Sequence, residues 1–538
     1  MKHFYNKYFY FLLFLLHAET NIHAQLNDYG PTVYPIEEVR AVWLTTVKSL
    51  DWPKTKATSP ASIERQKREL TDILDRLHQA NLNTVLFQTR VRGAVLYPSK
   101  LEPWDDCLTG TFGKNPGYDP LLFAIDECHK RGMELHAWVV AIPIGNVQKQ
   151  KGFGNQSVWK KHPELCKQVG SDIFMMPSKE GTADYLASIC REIVENYDVD
   201  GITLDYIRYP ESFYNYNDGC SAQQKRDNIT RIVRRIHDVV KPIRPWVKLS
   251  SSPIGKYRSL RRYSAGGWNC YDGVYQEAQE WLRDNIQDML FPMMYFLGNN
   301  FYPFLYDWAD HRYGHPIAAG LGIYFLDPSE GKWTLNDVRA QMRATRESGL
   351  GGIAFFRSNF FTRNVKGLYD STCNEFYPYP ALTPRMTWSE DTVPPAAPTR
   401  LRHTNNHLEW TDTSAVSSAK YDYTYYNIYG ADVYPVDISN AENIVRMRVR
   451  DQHIDLGSNE RIKRYYAVCA CDRFGNQSPA VQETVNTSLP DFSKAWNPLS
   501  RLDADGNRID DRLEGLKSGK RPLRSKKGFF SFFRKYKF

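Results

Sequence analysis

The run Val199-Asp-Gly-Ile-Thr-Leu-Asp-Tyr-Ile-Arg-Tyr-Pro210 decides how the rest of the chain is read. An apolar segment ends in a carboxylate, an aromatic ring, an arginine and a proline stop. Side chains alternate along a strand, so Gly201, Thr203 and Asp205 share one face, and Ile202 and Leu204 share the other. Apolar residues on one face suit helices packed outside, and small or polar ones suit the crowded interior of a barrel. A carboxylate at the carboxyl end of such a strand is where barrel enzymes keep their chemistry. Taken alone, Asp205 reads as a strand-end residue that caps a loop or pairs with Arg208. The elements around it reverse that reading.

Working outward, strand-like and helix-like stretches alternate from about residue 38 to 378. Strands are predicted at Val39–Thr46, Thr84–Arg90, Glu134–Ala141, the Asp205 run, Val247–Ser252, Asp288–Phe296, Ile317–Phe325 and Gly351–Phe356. Helices are predicted at Ser62–Ala80 (Ser62 as N-cap), from Asp119 through Lys130, at Thr182–Tyr197, Gln223–Val240, Gln276–Arg283, Phe304–His311 and Asn336–Ser348, with a last one near Val365–Asn374. Such alternation gives an α/β fold, either an eight-fold barrel or a doubly wound sheet. The count and the polar residues at most strand ends favour a (β/α)8 TIM-like barrel over residues 36–380. A doubly wound dinucleotide fold wants a glycine fingerprint after its first strand, and Val39–Lys54 has none.

Residues 381–398 read as a linker stiffened by Pro394-Pro-Ala-Ala-Pro398. From 399 to 490 the pattern changes to short alternating strands, clearest at Leu408–Trp410, Tyr425–Tyr429, Ile444–Val449 and Tyr465–Cys471, the pattern of a small all-β immunoglobulin-like sandwich. Lys2 and Lys7 precede the apolar run Tyr8–Leu16, with a cleavage site after Ala24, so residues 1–24 read as a secretory signal. No cysteine follows closely enough for a lipoprotein anchor, and a secreted or periplasmic protein is expected.

The chain has 538 residues and a net charge of +8, much of it in the segment after residue 516. The body is therefore near neutral, and no basic face argues for nucleic acid. The tail 491–538 reads as disordered, and its mixed Lys/Arg and Phe residues suit at most a weak membrane-surface contact. Nine scattered cysteines form no disulfide framework and read mostly as buried thiols. No Cys/His set has zinc spacing, and the glycine of Asp503-Ala-Asp-Gly-Asn507 comes too early for a calcium loop, so neither a metal nor a cofactor is expected. The sequence leaves the oligomeric state open.

Four stretches together resemble the bacterial family called glycosyl hydrolase-like 10. They are Glu38-Val-Arg-Ala-Val-Trp-Leu-Thr-Thr46, the run from Phe87-Gln-Thr-Arg-Val-Arg92 to Glu102-Pro-Trp104, Gly117-Tyr-Asp-Pro-Leu121 with His129–Trp138, and the Asp205 run. The resemblance spans roughly residues 36 to 375. It implies a barrel related to glycoside hydrolases, one branch of which looks like an envelope enzyme cutting peptidoglycan strands that lack stem peptides. Two positions depart from the family pattern: Met293 stands where a Gln is usual, and Glu277 where an Asp is usual. The run Tyr465–Ser478 resembles the penultimate strand and turn of fibronectin type III modules, and Trp410 fits their early core tryptophan.

Glycoside hydrolysis needs two carboxyl groups, one to donate a proton and one to attack or to activate water. Asp205 is the first candidate, as nucleophile or as acid, with Glu102 and Glu277 as equally ranked partners. Candidate substrate-binding residues are Gln88, Arg90, Arg92, Trp104, His136, Trp138, Tyr206, Arg208, Tyr295, Tyr324 and Arg357. Arg90, Arg92 and Arg208 suit acidic sugar groups held bidentately. Glu134, Asp200 and Asp288 sit deeper or at strand starts and are left out of the site. The expectation is an exported glycosidase acting on an envelope or extracellular glycan, denuded peptidoglycan first. Its rival is a glycan-binding or adhesion protein on an inactive barrel.

Overall fold

Strand β7 (Gly201–Asp205) lies within a closed barrel of eight parallel strands. In the computed structural model, residues 34–483 are described except 212–217, 267, 414–419 and 458–460. The expected signal segment, the basic tail and the Asp503 loop lie outside the described residues. Along the chain the strands are β1 (Val39–Leu44), β2 (Thr84–Arg90), β3 (Glu134–Val140), β4 (Pro143–Asn146), β5 (Cys166–Val169), β6 (Asp172–Met175), β7, β8 (Lys248–Ser251), β9 (Met289–Leu290), β10 (Ile317–Leu321) and β11 (Gly351–Phe355). The barrel order is β1-β11-β10-β9-β8-β7-β3-β2. Helices follow the barrel strands: α1 (Pro60–Gln79), α2 (Pro120–Lys130), α3 (Glu180–Asn196), α4 (Ala222–Val240), α5 (Ala278–Arg283), α6 (Tyr302–Asp310), α7 (Leu335–Glu347) and α8 (Ser358–Thr362).

The two faces of β7 separate as its alternation demands. Ile202 and Leu204 join the core between barrel and helices, while Thr203 pairs with Ser250 at 2.9 Å. Gly201 has no side chain because His136 fills that place: a Cβ there would sit 2.6 Å from Nδ1. The interior is packed by Ala41, Trp43, Leu86, Trp138, Val140 and Phe291. On α1, Leu70, Leu74 and Leu77 repeat at helical spacing and are fully buried. Each contributes roughly 1.5–3 kcal/mol.

Several expectations change. The N-cap of α1 is Ser59 rather than Ser62, because Pro60 supplies a fixed first-turn φ and Ser62 closes the capping box from the third position. The sixth barrel strand is only Met289–Leu290. Pro292 has no N–H for a ladder, and the chain beyond it pairs through single bridges at Met293. Between β3 and β7, where no strand is predicted from the sequence, the chain forms a three-stranded antiparallel sheet, β4-β6-β5. The segment expected to be linker is docked in its first half: Met386 is buried and Trp388 Nε1 donates to Asp288 at 2.8 Å.

Beyond it, β12 (Thr399–Thr404), β13 (His407–Thr411) and β16 (His453–Asp455) form one antiparallel sheet. A second contains β14 (Tyr425–Ala431), β15 (Ile444–Val449), β17 (Tyr465–Cys471) and β18 (Val481–Gln482). Leu408, Trp410, Tyr426, Ile428 and Val468 share one core. These sheets grip the base of the barrel. Arg448 bonds Asp200 and reaches Glu134 at 3.3 Å, and Arg473 holds Asp198 at 2.7 Å and Asp200 at 3.3 Å. The cavity of about 920 Å³ beside β15 lies at this end, against His78, Lys130 and Arg131, far from the strand ends that carry Asp205.

Candidate active site

Asp205 ends β7 at the carboxyl-terminal mouth, and its neighbours come from the adjacent strands. Its Oδ1 accepts the Tyr206 backbone N–H at 2.7 Å, and its Oδ2 accepts Trp138 Nε1 from β3 at 3.1 Å. Arg208 Nη1 stands 3.9 Å from Oδ1, close enough for attraction and too far for a hydrogen bond. Asp205 as a whole is 6% exposed. Burial pushes it above the ordinary aspartate range, against Arg208, the Tyr206 N–H, Trp138 and Arg92, which pull it down. A carboxyl that keeps its proton longer than usual is suited to giving one away.

Tyr206 takes a positive φ of 51°, which turns the chain out of the strand. Its ring lies under the Arg208 guanidinium at 4.0 Å, with Arg92 at 5.9 Å. Arg208 in turn donates from Nε and Nη2 to Glu211 Oε1, at 3.1 and 2.8 Å. One guanidinium therefore touches both acids. Beside them a cavity of about 220 Å³ is lined by Arg92, Pro143, Asp172, Phe174, Tyr206 and Glu211. Sheet β4-β6-β5 supplies one wall of it. On the opposite side Tyr295 packs against Phe356 at 5.4 Å and Tyr324 at 5.9 Å.

The structure thus gathers Asp205, Trp138, Tyr206, Arg208 and Arg92, with Tyr295 and Tyr324 across the mouth. It removes others. Glu102 is bound by Arg90 through Nε at 2.9 Å and Nη2 at 2.6 Å and by Tyr185 at 3.1 Å, with its side chain sealed. Arg90 spends its remaining donors on the Val140 and Ala141 carbonyls. The pair is a buried bolt between strand ends, and neither member is free for sugar. Glu277 is the N-cap residue of α5, bonded by Thr230 of α4 at 3.1 Å and 3.6 Å from Arg226. It faces the helix layer, while Gln276 points inward and ties Ile207 to Ile254.

His136 is wholly buried beside Glu134 at 3.1 Å and belongs to the interior packing. Gln88 accepts from the backbone of Thr46 and Val47 at 2.9 and 2.8 Å and shapes the loop after β1. Arg357 is held by Asp51 at 2.6 Å. Trp104 packs half-buried against the helix-side core, as does Met293.

Glu211 directly follows Pro210 and lies outside the strand motif, so strand alternation does not point to it. Its signal is the three-residue spacing from Arg208, followed by a stretch, 212–217, that contains no carboxylate.

A closed parallel barrel with a carboxyl buried at its mouth has the build of a barrel glycosidase. The profile of the family described as Glycosyl hydrolase-like 10 matches residues 38–315, and the chain belongs to that family. It is 28% identical over 484 residues to glycosyl hydrolase YngK of Bacillus subtilis (strain 168), covering 83% of this chain and 93% of that protein. It is 32% identical over 376 residues to glycosyl hydrolase DigH of Escherichia coli (strain K12), covering 61% of this chain and 84% of that one. The glycoside hydrolase domain of PgaB (BpsB) from Bordetella bronchiseptica superposes with a TM-score of 0.43 at 14% identity, over 63% of this chain and 98% of that domain. The protein is a glycoside hydrolase.

Proposed function

We propose that the enzyme is exported and cleaves an envelope or extracellular glycan, denuded peptidoglycan first, with Asp205 as proton donor and Glu211 as the second carboxylate. The observation that carries this is the Asp205–Arg208–Glu211 bridge at the barrel mouth. The two acids sit in opposite surroundings: Asp205 is enclosed, whereas the Glu211 side chain is 39% exposed and ion-paired. Such contrast suits the enclosed group to the acid and the exposed, ion-paired one to the nucleophile or water-activating base. Asp205 protonates the glycosidic oxygen as the bond to the anomeric carbon breaks. Glu211, ion-paired with Arg208, faces the cation-like carbon or the incoming water. Arg92, Tyr206 and the aromatic wall hold the sugar rings.

Export rests on the Lys2/Lys7 and apolar pattern of residues 1–24. Among the described residues no helix is long and apolar enough to cross a membrane. Peptidoglycan rests on the family resemblance and on the arginines at the mouth. The two small sheets over residues 399–482, with Trp410 buried between them, support a fibronectin type III-like module, and barrel limits of 36–380 fit the docked segment that follows. Purified enzyme and its Asp205→Asn variant are incubated with denuded peptidoglycan and with other glycans, and the products weighed by mass spectrometry. Release of disaccharide-spaced products by the native enzyme alone supports the reading; undiminished release by the variant ends it.

A further inference from the structure

Of the tryptophans among the described residues only Trp268 is exposed, at 40%. It sits on the loop that joins β8 to α5, and β8 is the neighbour of β7 in the barrel. Loops at the carboxyl ends of barrel strands build the active mouth. The Arg208 guanidinium carbon lies 5.8 Å from the Trp268 ring. The same guanidinium bonds Glu211 at 2.8 Å and stands 3.9 Å from Asp205. One side chain therefore separates the indole from both acids.

The loop presents that indole on a fixed base. Ala265 is buried, and its N–H donates to Ser259 Oγ at 3.0 Å. Asn269 is buried too. Its Oδ1 accepts from the Asp272 and Gly273 N–H groups at 2.8 and 3.3 Å, and its Nδ2 donates to the Gly266 carbonyl at 3.1 Å. Cys270 is fully enclosed, and its N–H bonds the Lys256 carbonyl at 2.9 Å. Buried groups on both sides pin the backbone while the ring stays in water.

Packing does not account for the ring. Trp268 joins neither the helix-side core nor the barrel interior. Arg208 already has a cover, since Tyr206 lies against its guanidinium at 4.0 Å. A flat apolar face kept in water favours any ligand that covers it. A β-linked pyranose offers a matching face of C–H groups, with its hydroxyls left wet at the rim. A platform pinned beforehand loses little freedom when the sugar arrives.

We propose that Trp268 is a stacking platform for a sugar ring of the glycan, bound beside the cleaved bond on the β8 side of the mouth. This rests on the Asp205–Glu211 reading above and adds a residue that binds the chain outside the acid pair.

The test uses the full chain carrying Asp205→Asn, so that binding is read without turnover, and a hexamer of β-1,4-linked N-acetylglucosamine as the probe. Titration calorimetry compares Trp268 with added Trp268→Phe and Trp268→Leu. Leucine is expected to weaken the hexamer roughly 3–10-fold, while phenylalanine, which keeps a flat face, stays within about two-fold of tryptophan. The hexamer is also expected to shift the tryptophan emission of the Trp268 protein and not that of the Trp268→Phe protein. Equal affinity in all three proteins, an equal loss for phenylalanine and leucine, an emission shift that survives Trp268→Phe, or no binding of the hexamer overturns the platform. Thermal melts confirm that each variant folds; if Trp268→Leu does not, Trp268→Met takes its place. A tryptophan-dependent response in a protein whose Asp205 form cleaves no glycan keeps the platform and sinks the Asp205–Glu211 reading. Cleavage by the Asp205 form with no loss in Trp268→Leu does the reverse.

Discussion

Asp200 and Asp205 stand at opposite ends of one strand, both buried, and their surroundings differ in kind. Asp200 accepts from His129 Nε2 at 2.8 Å, the Leu135 N–H at 2.9 Å, and two arginines of the small sheets. Arg448, His129 and Arg473 overcome its burial and hold it well below the ordinary range. Asp205 has one indole, one backbone N–H and a guanidinium at a distance, and burial wins, so it titrates high. Glu134 repeats the pattern of the base, with Lys248 at 2.7 Å, His136 and Arg448 pulling it down. The carboxylates at the base are each held by several cations, whereas the one at the mouth has few partners. Burial alone tells the two ends apart nowhere; the count of partners does.

The sharpest break of this comparison is at Asp205 itself. Asp205→Asn is expected to lower kcat about 10²–10⁴-fold, the usual worth of a general acid, with Tm unchanged or raised because a buried ionisable group is removed. A matching fall in Tm would move Asp205 to the structural side. At the base, Arg448→Met leaves Asp200 and Glu134 short of a cation and is expected to cost about 3–5 kcal/mol of unfolding free energy, with kcat of the folded enzyme retained. Urea melts followed by rates at low temperature check this.

Third, Glu211→Gln is expected to lower kcat by roughly 100-fold, whereas Glu277→Gln stays within about two-fold; the reverse order would restore Glu277 as partner. The smallest effects are in pH. With Asp205 as the proposed proton donor, kcat/KM is expected to fall as pH rises through a value above the ordinary aspartate pKa of about 3.9. Trp138→Phe removes a bond to the ionised form and moves that alkaline limb upward. Stability runs the other way. Asp200 and Glu134 have folded pKa values below their unfolded ones, so their contribution is complete above roughly pH 5 and is lost as pH falls through the folded values. Unfolding curves between pH 3 and 7 read this directly.

The sequence made the barrel legible because its evidence is local. Period-two strands, 3.6-period helices and caps such as Asp119 with Pro120 are set by nearest neighbours along the chain. It likewise placed Asp205 by alternation within one strand, and the motifs around it carried the family. Where local signals were thin, the reading slipped: Pro292 cut a strand short, and a three-stranded sheet lay hidden in residues 143–175, whose short strands have no strong period.

Partnership was the part no window of sequence contains. Arg90 and Glu102 look like a cleft arginine and a loop acid until folding brings them to 2.6 Å and seals both. Gln276 and Glu277 differ by one position, and only the start of α5 decides which points inward. Arg448 comes from a separate sheet far along the chain, yet it fixes the start of the strand that ends in Asp205. The sequence by itself determined the barrel, its family and the place of Asp205 at a strand end. The tertiary structure decided which charges neutralise each other, because a charge in a low-dielectric interior is defined by what stands a few ångströms away rather than by what precedes it in the chain.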